Sequence, residues 1–299
     1  MMLEVVHETR YAYSPAVRTA QHMAHLKPAH GKRQQLLSHE LVVDPQPAQL
    51  SEVQDRWGNT RTFFSLQAQH DELRVVARSR VATSPAAAVL SDMPWEQARE
   101  RMRYHRGASY DAAAEFVFAS PYVPRDAEFI EYAMPSFAAG RTLLDASREL
   151  MTRIHAGFEY ETQATDVGTP ALDALHLRKG VCQDFAHVML ACLRSLGLAA
   201  RYVSGYLLTQ PPPGQTRLVG SDASHAWVSV YVPGDGGTGD WFDFDPTNRR
   251  APGEDYVVLA TGRDYSDVSP VRGVIEGGAR HQLHVAVTVS PVAAPTIAA

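Results

Sequence analysis

The first 85 positions contain short β-rich runs, and several of them alternate apolar and polar residues with the period of two that is typical of half-buried β-strands. The alternation predicts strands over Leu3–Tyr13, Gln35–Val43, Thr60–Leu66 and Leu73–Ala82. Turn-forming residues separate these runs, as at 44–47 (DPQP) and 55–59 (DRWGN). We therefore expect residues 1–85 to form an all-β, sandwich-like domain.

After residues 84–88 the hydrophobic period changes from two towards 3.6, as in amphipathic helices. Residues 86–140 mix short helical patterns with proline-broken loops and are predicted to be a connection. A helix is expected from Thr142 to Ala156, where apolar residues form one stripe, and Gly157 is placed to stop it. A stronger helical pattern begins near Cys182 and ends at Gly197.

Three β-rich runs follow this second helix, at Ala200–Leu208, Ser224–Val232 and Trp241–Asp245. A last alternating run covers Gln282–Ser290. Together with the two helices, these runs predict an α+β core over residues 141–290 that includes the C-terminal strand. Residues 291–299, which are rich in Ala and Pro, are expected to be a frayed tail.

The 299-residue chain carries 28 Lys and Arg against 33 Asp and Glu, a formal charge of −5, and it has no basic run. This balance argues against nucleic acid as a partner. No uncharged apolar stretch reaches the roughly 18–20 residues of a membrane span, and charges within the first ten residues interrupt any signal-peptide core. We therefore expect a cytoplasmic location without a membrane partner, while the oligomeric state stays open.

The two cysteines, Cys182 and Cys192, are predicted to differ in role. On one helix their Cα atoms would lie roughly 15 Å apart, which is beyond disulfide reach. Cys192 falls in the middle of the apolar stripe and is interpreted as a core residue. Cys182 falls in the first helical turn, where unpaired N–H groups and the helix dipole favour a thiolate. A buried, unreactive thiol is the alternative for Cys182.

His225 is the natural partner for Cys182. Strand alternation in SHAWVSVYV puts His225 and Trp227 on one face, opposite the valines. In the next strand Asp243 and Asp245 share a face, while Phe242 and Phe244 share the other. A hairpin that packs these phenylalanines under the valines would set both aspartates beside His225. The result would be a nucleophile, a base and an orienting carboxylate.

Three stretches carry a family resemblance: GVCQDFAHVMLACLRSLGLAARYVSGY, SHAWVSVYVPG and WFDFDPTN. They resemble the core of the transglutaminase-like superfamily of papain-like cysteine enzymes. Residues 1–85 resemble the N-terminal β domain of its bacterial branch, through YAYSPAV, HLKP, DPQP, DRWGN and LRVVARSRV. The resemblance implies a fold in which the cysteine-bearing helix packs on an antiparallel sheet.

The resemblance also implies roles for individual residues. Cys182 would be the nucleophile, His225 the base and acid, and Asp245 the orienting residue, with Asp243 as a rival for the third role. For the oxyanion donor or pocket the candidates are Tyr160, Gln183 and Trp227. Tyr160 is equally well explained as a core tyrosine. Asp184 is expected to be a first-turn acid of the helix, or a group that supports the nucleophile.

The remaining histidines do not indicate a metal site. His22, His25 and His30 have no carboxylate at ligand spacing, and no loop has the oxygen ligands of an EF-hand. His187 is turned away from the face of Cys182 on the same helix and is interpreted as structural. We therefore expect neither a metal nor another cofactor.

The expected function is acyl transfer at an amide bond through an acyl-enzyme on Cys182, with a peptide or protein as substrate. Water as acceptor gives a cysteine peptidase or amidase, which we favour by resemblance and not from residues. An amine as acceptor gives a transglutaminase. A non-catalytic module that binds a peptide or partner is the further alternative. Substrate specificity is expected to lie in residues 105–140 and 210–222.

Overall fold

The computed structural model describes residues 1–85, 91–107, 110–209, 224–278 and 280–292. Its strands are β1 (Met2–Ala24), β2 (Gln34–Asp44), β3 (Gln49–Gln54), β4 (Thr60–Leu66), β5 (His70–Thr83), β6 (Glu159–Tyr160), β7 (Lys179–Gly180), β8 (Ala200–Leu207), β9 (Ser224–Pro233), β10 (Gly239–Phe244), β11 (Tyr256–Gly262), β12 (Val271–Gly277) and β13 (Arg280–Pro291).

Its α-helices are α1 (Trp95–Arg101), α2 (Ala127–Ala133), α3 (Leu143–Gly157), α4 (Ala171–Leu177), α5 (Cys182–Ser195) and α6 (Tyr265–Val268). Short 3₁₀ helices cover Ala112–Val117, Met134–Ser136 and Asp235–Gly237. Within the described ranges, none of the helices has the length and apolar character needed to cross a membrane.

The long strand β1 organises the N-terminal sheet, which has seven strands within the described residues. The first half of β1 lies between β5 and β13, and its second half lies between β4 and β12. The pairing with β5 shifts register between Ala12 and Val17, which marks a bend. The curled sheet encloses an apolar cluster that includes Tyr13, Val17 and Phe64.

All four strands predicted in this region are present, but the pattern missed β3 and the second half of β1. The pattern also grouped the last strand with the core. Residues 282–290 were expected in the core, whereas β13 pairs with β1 from Leu3 opposite Pro291 to Ser14 opposite Arg280. Alternation identifies a strand without identifying its partner. The choice follows from burial, since Val287 and Val289 pack in one cluster with Leu3.

The core consists of helices packed on an antiparallel sheet whose strand order is β10-β9-β8-β11. Helix α5 packs against β8 and β9, and it is surrounded by α2, α3 and α4. Both predicted long helices are present. Thr142, the predicted first residue of α3, is its N-cap. Its hydroxyl accepts a hydrogen bond from Asp145 N at 3.2 Å. The helix ends at Gly157, one residue beyond the predicted end at Ala156.

Some predicted segments lie partly or wholly outside the described residues. The boundary at 84–88 is described only to residue 85, and the predicted specificity loop 210–222 lies outside the described residues. The same holds for all but residues 291 and 292 of the predicted frayed tail.

The attachment of β13 gives a prediction about stability. Val287 is 1% exposed and Val285 is 45% exposed on the same strand. We expect Val287→Ala to lower the free energy of unfolding by about 2 kcal/mol, because two buried methyl groups are lost. The matched control Val285→Ala should change it by no more than about 0.5 kcal/mol. Urea denaturation measures both, and equal losses would contradict this packing.

Candidate active site

The start of α5 is held by a small hydrogen-bonded cluster around Asp184. The Asp184 carboxylate accepts hydrogen bonds from Val181 N at 2.8 Å and from the Thr165 hydroxyl at 2.7 Å. Gly180 has a φ of +154°, and a Cβ on it would lie 2.4 Å from Asp184 Oδ2. Only glycine therefore allows the carboxylate to turn back on the helix start. Asp184 is a first-turn acid, as expected, and burial raises the pKa of its carboxyl.

This arrangement fixes Cys182 as the first residue of α5, where its backbone N–H has no partner within the helix. The Cys182 side chain is partly exposed, whereas Cys192 is fully buried in the core. Burial raises the pKa of the Cys192 thiol, which keeps it protonated. The two cysteines therefore lie in unlike surroundings.

His225 lies between Cys182 and Asp245. Its Nε2 is 2.7 Å from Asp245 Oδ2, and the Cys182 thiol is a near neighbour of the same ring. Because Asp245 occupies Nε2, Nδ1 is the nitrogen left for the thiol. Burial lowers the pKa of His225, but hydrogen bonds and charges from Asp245 and Cys182 outweigh burial and raise it from the ordinary 6.5 to about 10.

The Asp245 carboxylate is removed from solvent and accepts five hydrogen bonds from the described residues. Oδ1 accepts from the backbone N–H groups of Thr247 and Asn248. Oδ2 accepts from His225, from Asn248 Nδ2 at 2.7 Å and from the Tyr256 hydroxyl at 2.7 Å. Burial raises the pKa of Asp245, but these hydrogen bonds and the charge of His225 outweigh it, so the pKa is lowered.

Asp243 lies elsewhere. The hairpin has the expected register, with Phe242 opposite Val230 and Phe244 opposite Val228, but this sets Asp243 opposite Ser229. The expectation that both aspartates lie beside His225 is therefore wrong for Asp243. Residues two positions apart on a strand are separated by about 6.6 Å. Two side chains on the same face can therefore belong to different sites. The charged neighbours of Asp243 are Arg201 and Arg33, whose Nη1 is 3.8 Å from Asp243 Oδ2.

Tyr160 lies beside Cys182 without being part of the core. Strand β6 pairs in parallel with β7, which sets Tyr160 opposite Gly180. The Tyr160 side chain is 53% exposed, which argues against the core interpretation. Burial of the rest of the ring raises the pKa of Tyr160, and charges on Cys182 and Asp184 add to this effect. The phenol therefore stays protonated and can donate a hydrogen bond.

The other two pocket candidates have different surroundings. Gln183 is buried and donates from Nε2 to the Val167 carbonyl at 3.1 Å, which directs this group to the 161–170 loop. Trp227 is fully buried with its ring stacked on His225, at 6.2 Å between centroids and 30° between planes. It therefore forms a wall behind the imidazole.

Sequence reasoning missed two neighbours of Asp245. Asn248 ends the quoted WFDFDPTN stretch, and its amide lies 3.3 Å from His225 Nε2 as well as bonding Asp245. Its place three residues after Asp245 was a signal that could have been used. Tyr256 has no local signal, because it lies on another strand eleven positions along the chain.

The remaining histidines have separate partners. His22 stacks on Phe64, His25 Nδ1 contacts the Ser269 carbonyl, and His30 accepts from Leu36 N. His187 is buried under Tyr122 and Tyr202 and accepts from Tyr265 N. Across the described ranges, no three His, Cys, Asp or Glu side chains are grouped as a metal would require.

Two family models match the chain. The bacterial transglutaminase-like N-terminal region matches residues 3–82, and the transglutaminase-like superfamily matches residues 131–246. The second range contains Cys182, His225 and Asp245. The resemblance inferred from the sequence is confirmed by these matches.

Relatives extend over the whole chain. An uncharacterized protein of Mycobacterium tuberculosis is 40% identical over 294 residues, covering 96% of this chain and 92% of that protein. One of Mycobacterium leprae is 31% identical and covers 97% and 99%. A protein-glutamine gamma-glutamyltransferase of Pseudomonas aeruginosa is 34% identical over 101 residues, which are 33% of this chain and 14% of that protein.

A solved structure supports the fold. The crystal structure of a "Putative Cysteine Protease" from Cytophaga hutchinsonii superposes with a TM-score of 0.72 and 21% identity. The superposition covers 98% of this chain and 92% of that one. It confirms the predicted fold class, an N-terminal β domain followed by a helix packed on an antiparallel sheet.

The raised pKa of His225 predicts how stability depends on pH. A folded pKa of about 10, above the ordinary 6.5, means that the stabilisation is complete below pH 6.5 and is lost as the pH rises through about 10. The wild type should therefore exceed His225→Gln in free energy of unfolding by a margin that shrinks over that window. Urea denaturation at several pH values measures the margin, and a constant margin would contradict the ion pair.

Proposed function

The chain belongs to the transglutaminase-like superfamily, and from this premise we propose that it catalyses acyl transfer at amide bonds through a covalent acyl-enzyme on Cys182. The proposal is carried by the chain of contacts from the Cys182 thiol through the His225 ring to the Asp245 carboxylate. Cys182 is the nucleophile and His225 the general base and acid. Asp245 orients the imidazole and stabilises its protonated form.

The first step forms the acyl-enzyme. His225 holds the proton of the Cys182 thiol, as its raised pKa requires, and the thiolate sulfur attacks the carbonyl carbon of an amide. The carbonyl oxygen becomes an oxyanion, and we assign its stabilisation to the backbone N–H of Cys182 and the hydroxyl of Tyr160. His225 then gives its proton to the amine, the C–N bond breaks and a thioester remains on Cys182.

The second step depends on the acceptor. We propose water, because the partly exposed Cys182 leaves a thioester open to solvent. His225 takes a proton from the water, the hydroxide displaces the sulfur, and a carboxylic acid leaves. The activity is then that of a cysteine peptidase or amidase acting on a peptide or isopeptide-like substrate.

Amine transfer is the second candidate. It is favoured by the local similarity to a protein-glutamine gamma-glutamyltransferase of Pseudomonas aeruginosa. The chemistry up to the thioester is the same, and a primary amine in place of water gives a new amide. The acceptor therefore separates the two candidates, and the triad does not.

We expect iodoacetamide near pH 6 to alkylate Cys182 and to leave the buried Cys192 unmodified. An unassisted cysteine is under about 1% thiolate at that pH, so fast labelling requires a proton acceptor. His225→Ala should lower the rate at Cys182 by about 10- to 100-fold. Peptide mass spectrometry measures each site.

Cys192→Ala is the matched control and should leave the labelling of Cys182 unchanged. Equal, slow labelling of both cysteines in the wild type would contradict the catalytic interpretation and favour a module that binds its partner without chemistry.

A glutamine peptide incubated with a labelled primary amine distinguishes the two acceptors. We expect free acid from the wild type, with little amine incorporated, and loss of both products in Cys182→Ala. Mass spectrometry of the peptide gives the ratio of acid to amide. A product that is mainly the amide would replace hydrolysis by transfer and leave the roles of the three residues intact.

A further inference from the structure

Strand β11 connects the N-terminal sheet to the Asp245 carboxylate. Its first residue, Tyr256, donates from its hydroxyl to Asp245 Oδ2 at 2.7 Å. The Tyr256 ring is fixed by Trp227, which it meets edge to face at 5.4 Å and 84°. Burial raises the pKa of Tyr256, so the hydroxyl keeps the proton that it donates. The carboxylate therefore has one donor that comes neither from His225 nor from its own turn.

The position of Tyr256 depends on β11, which is an edge strand of the core sheet. Among the described strands of that sheet, β11 pairs only with β8. An edge strand presents backbone groups that need other partners. The N-terminal domain provides them through two side-chain amides, each donating to and accepting from one residue of β11, and through the Ala29 N–H, which donates to the Val258 carbonyl at 3.1 Å.

Gln34 is the first of these amides. It accepts from Val258 N at 2.7 Å and donates to the Val258 carbonyl at 2.8 Å. Asn59 repeats the pattern at Thr261, accepting from its N–H at 2.8 Å and donating to its carbonyl at 2.7 Å. Both amides are buried, so these hydrogen bonds are shielded from water. They replace a neighbouring strand along the outer edge of β11.

We propose that the N-terminal domain is a positioning element of the active site: Gln34 and Asn59 hold β11, and Tyr256 on β11 holds the Asp245 carboxylate towards His225. Tyr256 acts through Asp245 and is therefore a positioning residue. The inference rests on the proposed function, because it assigns the domain a part in the same triad.

The groups around Asp245 decide the expected pH effect. The titratable groups that face it are His225 from β9 and Tyr256 from β11, and the following turn adds Asn248 and backbone N–H groups. His155 from α3 contacts the Thr247 carbonyl. Arg250 lies over the Tyr256 ring at 4.7 Å and is paired with Asp255. Removing the Tyr256 hydroxyl therefore leaves the carboxylate with one donor fewer and no new charge.

The test measures the rate of Cys182 alkylation by iodoacetamide as a function of pH. In Tyr256→Phe we expect about a tenfold lower rate near pH 6, because a hydrogen bond to a charged group is lost. The acid limb of the profile should also move to higher pH, since Asp245 protonates more readily. Tyr231→Phe is the matched control, because Tyr231 also donates to a carboxylate, that of Asp111 at 2.6 Å. Its profile should be that of the wild type.

The contribution of the domain is tested by Gln34→Leu against Gln35→Leu, since Gln35 is the exposed neighbour on the same strand. We expect the acid limb to shift in Gln34→Leu in the same direction as in Tyr256→Phe, with about a threefold lower rate. Gln35→Leu should match the wild type. If Gln34→Leu does not fold, Gln34→Glu replaces it. This variant keeps the oxygen that accepts from Val258 N and removes both N–H donors of the amide.

A second readout needs no reactive thiol. In a Cys182→Ala background, the downfield NMR signal of the His225 Nε2 proton reports the contact with Asp245, and Tyr256→Phe should shift or broaden it. An unchanged signal and pH profile in Tyr256→Phe would overturn the inference, as would equal profiles for the Gln34 and Gln35 variants. If the wild type shows no His225-dependent labelling of Cys182, the proposed function fails instead.

Discussion

The buried Asp245 carboxylate is the constraint on which the site depends. A charged group without solvent is costly unless hydrogen bonds and an opposite charge replace the water. Here the turn after β10 gives two backbone donors, while Asn248, Tyr256 and His225 give three more. The contacts that stabilise the buried charge also keep His225 protonated and oriented. The same interactions therefore support both the stability and the chemistry of the site.

The helix start imposes a second, separate constraint. Cys182 has its position because Asp184 caps the helix start and because Gly180 has no Cβ to obstruct the carboxylate. Ten residues further along α5, Cys192 has the same thiol in the core, where burial leaves it inert. Location on the helix, and not the type of side chain, separates the two cysteines.

The N-terminal domain and the core are linked through two sheet edges. The strands β12 and β13, which follow the core in sequence, return to the N-terminal sheet and pair with β1. In the other direction, amides of the N-terminal domain cover the outer edge of β11. The core sheet therefore depends on the N-terminal domain for hydrogen-bond partners along β11, which gives a physical reason for the two to occur together.

The sequence by itself determined the local elements and the chemistry that they carry. The helical period placed Cys182 at a helix start and Cys192 in a core, and strand alternation put the phenylalanines of β10 under the valines of β9. The tertiary structure alone showed that Asp243 lies away from His225, assigned β13 to β1, and brought Gln34 to Val258 across 224 positions of the chain. The reason is that periodicity reflects burial of near neighbours. Pairing between distant segments depends on sheet register and on which edges are left open, and no single segment encodes either.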